Sequence, residues 1–256
     1  MNTRSVSVTL AVARRSARKL LKNPAFVLPP LVIPLFFFAA FIGAFSSLGE
    51  TPGFEYYDFT AFEFVFVLYQ SAALAGVFTS LEIASDYGTG IGRRLMSATP
   101  HRQAIVVGYL IPALGRCALA ITVVWAVAVI IGMPVRGDVV DIAGLIALAL
   151  LLSVATTLYG AGVALRLKST AAGVLIMIPV FMAIFLTPVF IPRDQLADWL
   201  EVVASVNPLT PLLEAGRGFL ADDPVSVGIS FAAGAGLVIV FWVWALFGMR
   251  KAEQTA

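Results

Sequence analysis

Residues 62–81 read FEFVFVLYQSAALAGVFTSL, and residues 84–103 read ASDYGTGIGRRLMSATPHRQ. The first stretch holds one acid in twenty residues. The second holds an aspartate, three glycines, three arginines and the chain's only histidine. A second apolar run, AIVVGYLIPALGRCALAITVVWAVAVII, follows at once over 104–131. An α-helix rises 1.5 Å per residue, so about 20 apolar residues cross the ~30 Å of hydrocarbon in a bilayer. Both apolar runs reach that length. The reading is two membrane-crossing helices joined by a long polar connection.

Working outward, further apolar runs lie at 25–45, 142–165, 170–191 and 226–248, giving six spans with 62–82 and 104–131. The 256 residues are 60% hydrophobic and 12% charged, against about 45–50% and ~25% in soluble domains. The expected fold class is therefore an all-α polytopic membrane protein with six transmembrane helices and no soluble domain. Residues 25–45 follow a long basic segment and contain Pro29, Pro30 and Pro34, so they are read as a retained helix rather than a cleaved signal.

Lysine and arginine set the orientation. With the N-terminus inside, the cytoplasmic segments hold Arg4, Arg14, Arg15, Arg18, Lys19, Lys22, Arg93, Arg94, Arg102, Arg166, Lys168, Arg250 and Lys251. The opposite side holds only Arg136, Arg193 and Arg217, and Arg116 falls within a span. This asymmetry places both termini in the cytoplasm. The net charge of +2 is thus topological and gives no sign of nucleic-acid binding. A single cysteine, Cys117, excludes an internal disulfide, and a single histidine, His101, excludes a paired-histidine zinc motif.

SVSVTLAVARRSARKLLKN (5–23) reads as an amphipathic helix in the interface. Val6, Leu10, Ala13, Ala17, Leu20 and Leu21 form the apolar stripe, Val8 and Val12 fall off it, and Arg14, Arg15, Arg18, Lys19 and Lys22 lie on the other side. It serves as a membrane anchor or as a lever a partner touches; periodicity leaves both open. Tyr56, Tyr57 and Phe59 fit an outer aromatic belt. RLKST (166–170) lacks the glycine before lysine that a phosphate loop needs. Residues 192–225 hold two short apolar-faced helices, the first carrying Leu196, Trp199, Leu200 and Val203. Asn207-Pro208 breaks them apart, and Thr210 caps the second with Pro211 in its first turn. Each is too short to span, so they form an outer re-entrant hairpin suited to a gate.

Polar groups within the spans mark candidates for a cavity: Tyr69, Gln70, Arg116 and Thr187, with a kink expected at Thr187-Pro188. Arg116 reads as a structural group facing the bundle or as a contact for an anionic substrate, with Glu63 and Glu82 near enough to pair only at the ends of span two.

Four features in order resemble the membrane subunits of the type-2 ATP-binding-cassette exporter family, in particular its daunorubicin-type drug-resistance branch. They are the basic amphipathic helix, DYGTGIGRRLMSATPHR (86–102), the six-span layout, and FIPRDQLADWLEVVASVNPLTPLLEAGRGFL (190–220). In the last, Pro192, Trp199, Asn207, Pro208, Thr210, Pro211 and Arg217 match the family pattern. The resemblance covers essentially the whole chain. It implies a permease without catalytic residues or a cofactor of its own, with ATP and Mg on a separate nucleotide-binding subunit present in two copies. It also implies a second permease chain, identical or sister, in a bacterial cell membrane. Residues 84–103 would be the coupling loop, with Asp86, Gly88, Thr89, Arg93, Arg94, Leu95, Thr99 and Pro100 as contacts. Family members often carry Glu where Asp86 stands. Arg14, Arg15, Arg18 and Lys19 would lie nearby on the interface helix. The alternative is an ion-gradient-driven carrier without an ATPase, which calls for acids at mid-span and broken helices at the midplane.

Overall fold

The computed structural model describes residues 3–50, 54–97, 103–169 and 171–254. Ten α-helices and no strands occur among them. They are α1 (Thr3–Lys22), α2 (Pro29–Phe45), α3 (Phe59–Gly88), α4 (Ile91–Ser97), α5 (Gln103–Ile130), α6 (Val139–Leu167), α7 (Ala172–Phe185), α8 (Asp198–Val206), α9 (Thr210–Ala221) and α10 (Val227–Gln254). Five are long and apolar enough to cross a membrane: α2 with its continuation to Glu50, α3, α5, α6 and α10.

The bundle is built around α3. In its most apolar stretch 89% of residues are buried, against 17% in α2 and 17% in α10, so α3 is the axis and the other two face outward. Lipid tails are as apolar as leucine, so helices in a bilayer gain most from close backbone approach at small residues. Gly76 of α3 supplies that approach, lying against Thr156 and the backbone of Ser153 and Thr157 on α6. One turn on, the Ser80 hydroxyl donates to the carbonyls of Gly76 (2.9 Å) and Thr157 (3.2 Å), opposite Gly160. Asp58 starts α3 by accepting from the Ala61 amide at 2.8 Å. Asp138 and Asp141 form a capping box on α6. Rings of Phe37, Phe41, Phe66, Phe185 and Phe190 knit α2 and α3 to the end of α7, while Phe36 faces out.

Three elements differ from the sequence reading. The run 170–191 forms a helix of only 14 residues, α7, about 21 Å long. It ends at Phe185, before Thr187-Pro188, instead of kinking through them; a residue preceding proline is disfavoured in the α conformation. Second, α3 runs on through Asp86 to Gly88, and the break falls at Gly90, whose φ of +78° suits glycine. The connection to α5 therefore starts five residues later than 84. Third, α1 buries Ser5, Thr9, Val12, Ala13 and Ser16 against the protein, whereas Val6 and Leu10 are exposed. Val12 sits on Gly108 of α5, where a β-carbon would collide, and Thr9 donates to the Ala104 carbonyl at 3.2 Å. The buried side is thus the one with small residues, because it meets a helix rather than lipid.

Candidate functional site

At the end of the bundle carrying α4, the expected coupling residues separate into two groups. Asp86 is 1% exposed. Its carboxylate accepts from Arg15 Nη1 (2.6 Å) and Nη2 (2.9 Å), Lys19 Nζ (2.9 Å) and the Tyr109 hydroxyl (2.7 Å). It therefore offers nothing to an outside partner. The Asp86 carboxylate raises the Arg15 pKa above its ordinary value, against the opposing effect of burial. Lys19 also lies 5.3 Å from the Phe26 ring centroid. Arg14 and Arg18 are exposed on the far side of α1.

The other group lies on the surface. Gly88 and Thr89 are exposed at the end of α3, and the Thr89 hydroxyl donates to the Ser85 carbonyl at 2.9 Å. After Gly90 the chain turns into α4, which seats Gly92 so close to the Tyr87 ring that a β-carbon would clash. Met96 is buried, Leu95 half-buried and Arg94 exposed, and Arg93 is an α4 residue. Thr99 and Pro100 lie outside the described residues, as do His101 and Arg102.

At the opposite end, α9 is buried along most of its length, while α8 leaves Trp199, Val202 and Val206 exposed. The hairpin closes off the broken end of α7. Asn207 Nδ2 donates to the carbonyls of Ala183 (2.7 Å) and Leu186 (3.3 Å), and its Oδ1 accepts from the Leu209 amide at 3.0 Å. Asn207, rather than Thr210, thus organises the entry to α9; Thr210 is already helical, Pro211 follows it in the first turn, and the Thr210 hydroxyl is buried without a partner. Arg217 donates to Pro188 O (2.6 Å), Val189 O (2.7 Å) and Phe62 O (3.2 Å), and lies 3.2 Å from the Phe62 ring centroid. Burial pushes its guanidinium down to about 10, outweighing the attraction of Glu63. Tyr56 donates to Arg217 O (2.8 Å) and Tyr57 to Leu220 O (3.0 Å), so these rings tie the preceding loop to α9 rather than forming a belt alone.

Spaces open around these elements among the described residues. A cleft of about 960 Å³ at the α9 end is lined by Tyr56, Tyr57, Phe62, Pro188, Pro192, Glu214 and Arg217 among others. An apolar pocket of about 150 Å³ lies between α6, α7 and α10 under Asn207, Pro208 and Leu209. A void of about 20 Å³ is lined by Tyr69, Thr187 and Leu212. Of the cavity candidates, Tyr69 and Thr187 come together there. Gln70 is buried with its amide unpartnered, and Arg116 is buried in the α3–α5 contact, lining none of these spaces. Arg116 pairs with Glu82 at 3.4 Å and donates to Ala75 O at 3.2 Å and to the Thr79 hydroxyl.

Tyr109 is the partner that the sequence reading did not name, whereas Glu82, named there as a pair for Arg116 at the end of span two, does pair with it. Their signal lay in spacing: Glu82 and Asp86, Arg15 and Lys19 each stand four apart, and Tyr109 and Arg116 seven apart, so each pair lies on one helix face.

The architecture, several apolar spans around one buried axis with no soluble domain among the described residues, defines a polytopic helical membrane protein. The chain belongs to the ABC-2 type transporter family, whose model matches residues 7–220, from α1 to α9. It is accordingly the permease component of an ABC-2 transporter, a transport subunit of a family that typically works with an ATPase subunit. The comparison with curated proteins finds no match.

Proposed function

We propose that this chain is the permease half of an ATP-driven exporter of the drug-resistance type, moving hydrophobic or amphipathic molecules out of the cytoplasm or inner leaflet. It resides in a bacterial cytoplasmic membrane with both termini inside, pairs with a second permease chain, and is driven by two nucleotide-binding subunits that carry the ATP and Mg. The observation that carries this reading is α4: a seven-residue helix, packed on the end of the buried axis α3 through Gly92 and Tyr87, with Arg94 exposed. A bland connection between two spans needs only a few residues. A short helix seated on the central span transmits displacement that a loose loop would absorb. The thirteen-to-three distribution of basic residues supports placing this end in the cytoplasm.

The test is affinity purification of the chain from its native membrane in mild detergent, beside the Arg93→Glu/Arg94→Glu variant. Co-purification of a nucleotide-binding subunit with the native chain, lost in the variant, is the expected result. A chain that emerges alone and transports in liposomes without ATP belongs to the ion-gradient-driven carriers instead.

A further inference from the structure

The four bonds into the Asp86 carboxylate come from two helices other than its own, α1 and α5. They use the full acceptor capacity of a carboxylate, and three are charge-assisted, two of them as a bidentate arginine fork. The covalent links nearby are weak joints by comparison. Gly90 separates α3 from α4 in a left-handed conformation, and Asn23-Pro24 separates α1 from α2. What fixes these helices relative to one another at the α4 end is side-chain chemistry. α1 is fastened to α5 through Val12 on Gly108 and Thr9 on Ala104, and to α3 through Asp86.

We propose that Asp86 is a positioning residue that makes α1, the end of α3 and the start of α5 one rigid body. A displacement applied along α1, or at α4 through the seat of Gly92 on Tyr87, then reaches the far end of α3. That far end, about 36 Å from Asp86 along α3, is where the Phe62 carbonyl and ring hold Arg217, and with it the broken end of α7. The clamp and the outer cleft are thus two ends of one lever. The inference rests on the reading that an ATPase subunit drives this chain.

The test uses the complex of permease and ATPase subunit in phosphatidylethanolamine–phosphatidylglycerol liposomes. The chain's only cysteine is removed (Cys117→Ala) and a reporter is placed on the exposed cleft residue Glu201 (Glu201→Cys). The readout is the rate of labelling by a charged maleimide, without nucleotide and with ATP plus vanadate. In the parent background the rate changes on trapping. In Asp86→Asn that change shrinks by about tenfold, within the usual range of coupling between sites, while the ATPase subunit still co-purifies and hydrolyses ATP. A purely structural clamp would lower yield and leave the response of the assembled complex intact, and that result overturns the proposal. Should Asp86→Asn fail to fold, Tyr109→Phe and Arg15→Lys leave the carboxylate paired. Each is expected to show a partial response, and full parental responses in both overturn the proposal equally. A parent complex with no ATPase subunit, or no response to ATP, refutes the exporter reading itself before any Asp86 variant is made, and this inference falls with it.

Discussion

The guanidinium of Arg217 reaches the carbonyl oxygens of Pro188 and Val189 at 2.6 and 2.7 Å. Non-helical backbone is tolerated at membrane depth only where protein or water satisfies its polar groups. The segment after α7 has lost its helical partners because Pro188 brings no N–H and Thr187 precedes it. Arg217 replaces those partners from α9 with two bonds, to Pro188 O and Val189 O, and Asn207 caps the last turn of α7.

Arg217→Met therefore leaves several buried carbonyls unpaired and is expected to destabilise the chain by about 3 kcal/mol. Arg217→Lys keeps the charge but replaces a planar fork with a point donor, and should recover only part of the loss. Reversible unfolding in mixed micelles measures both. Equal stability of the methionine variant and the native chain would show that the carbonyls find other donors.

The seam between α3 and α6 yields a sharper contrast. A β-carbon at Gly76 would stand 2.7 Å from the Ser153 carbonyl and 2.8 Å from the Thr157 amide, both backbone atoms that cannot swing aside. Gly76→Val is expected to cost at least ~3 kcal/mol. Gly115, with nothing within 4 Å of the same position, should accept alanine with a gain of up to about 1 kcal/mol. If the two substitutions have equal effects on the fraction of monodisperse protein, α3 and α6 do not meet at Gly76.

Much of this was legible in the sequence, for physical reasons that vary along it. The apolar runs at 62–82, 104–131, 142–165 and 226–248 appear as helices because length and hydropathy are local properties. α7 stops at Phe185 because proline geometry ended the helix inside an apolar run that continues past it. The face of α1 that packs on α5 was not legible because amphipathicity reports contrast with water, while Val12 and Thr9 answer to the shape of α5 at Gly108. Asp86 looked like a surface group for a similar reason: the neutralising Arg15 and Lys19 lie 71 and 67 residues away in the chain. Arg217 was legible as one of three arginines on the side opposite the basic segments, but the use made of it depends on where α7 ends.

The tyrosines beneath the cleft give a pH dependence. Burial raises the Tyr57 and Tyr56 hydroxyls above their usual value of 10.0, so both stay protonated donors in the folded chain. Between the unfolded value and the raised folded one, the native state binds more protons than the unfolded state, and stability falls as pH rises. Their contribution is complete below about pH 10 and declines above it. Tyr57→Phe removes the bonds to Leu220 and Pro134, costs about 1 kcal/mol at neutral pH, and flattens part of the alkaline decline. Parallel stability curves for variant and native chain from pH 8 to 11 would contradict that assignment.

Arg116 and Glu82 test whether a charge within the spans is there for substrate or for structure. Both are buried and 3.4 Å apart, yet Arg116 Nε and Glu82 Oε1 have no hydrogen-bond partner. A buried pair satisfied this incompletely is weak evidence of net stabilisation, while removing one member strands the other. Arg116→Met alone should cost about 3–5 kcal/mol, as should any change that leaves Glu82 uncompensated. Arg116→Met/Glu82→Leu should recover most of it, because two apolar side chains need no partner. A double mutant as unstable as the sum of its parts would deny the coupling. A double mutant that regains stability and also retains transport of a hydrophobic dye would establish that Arg116 serves the helix packing and not the cargo.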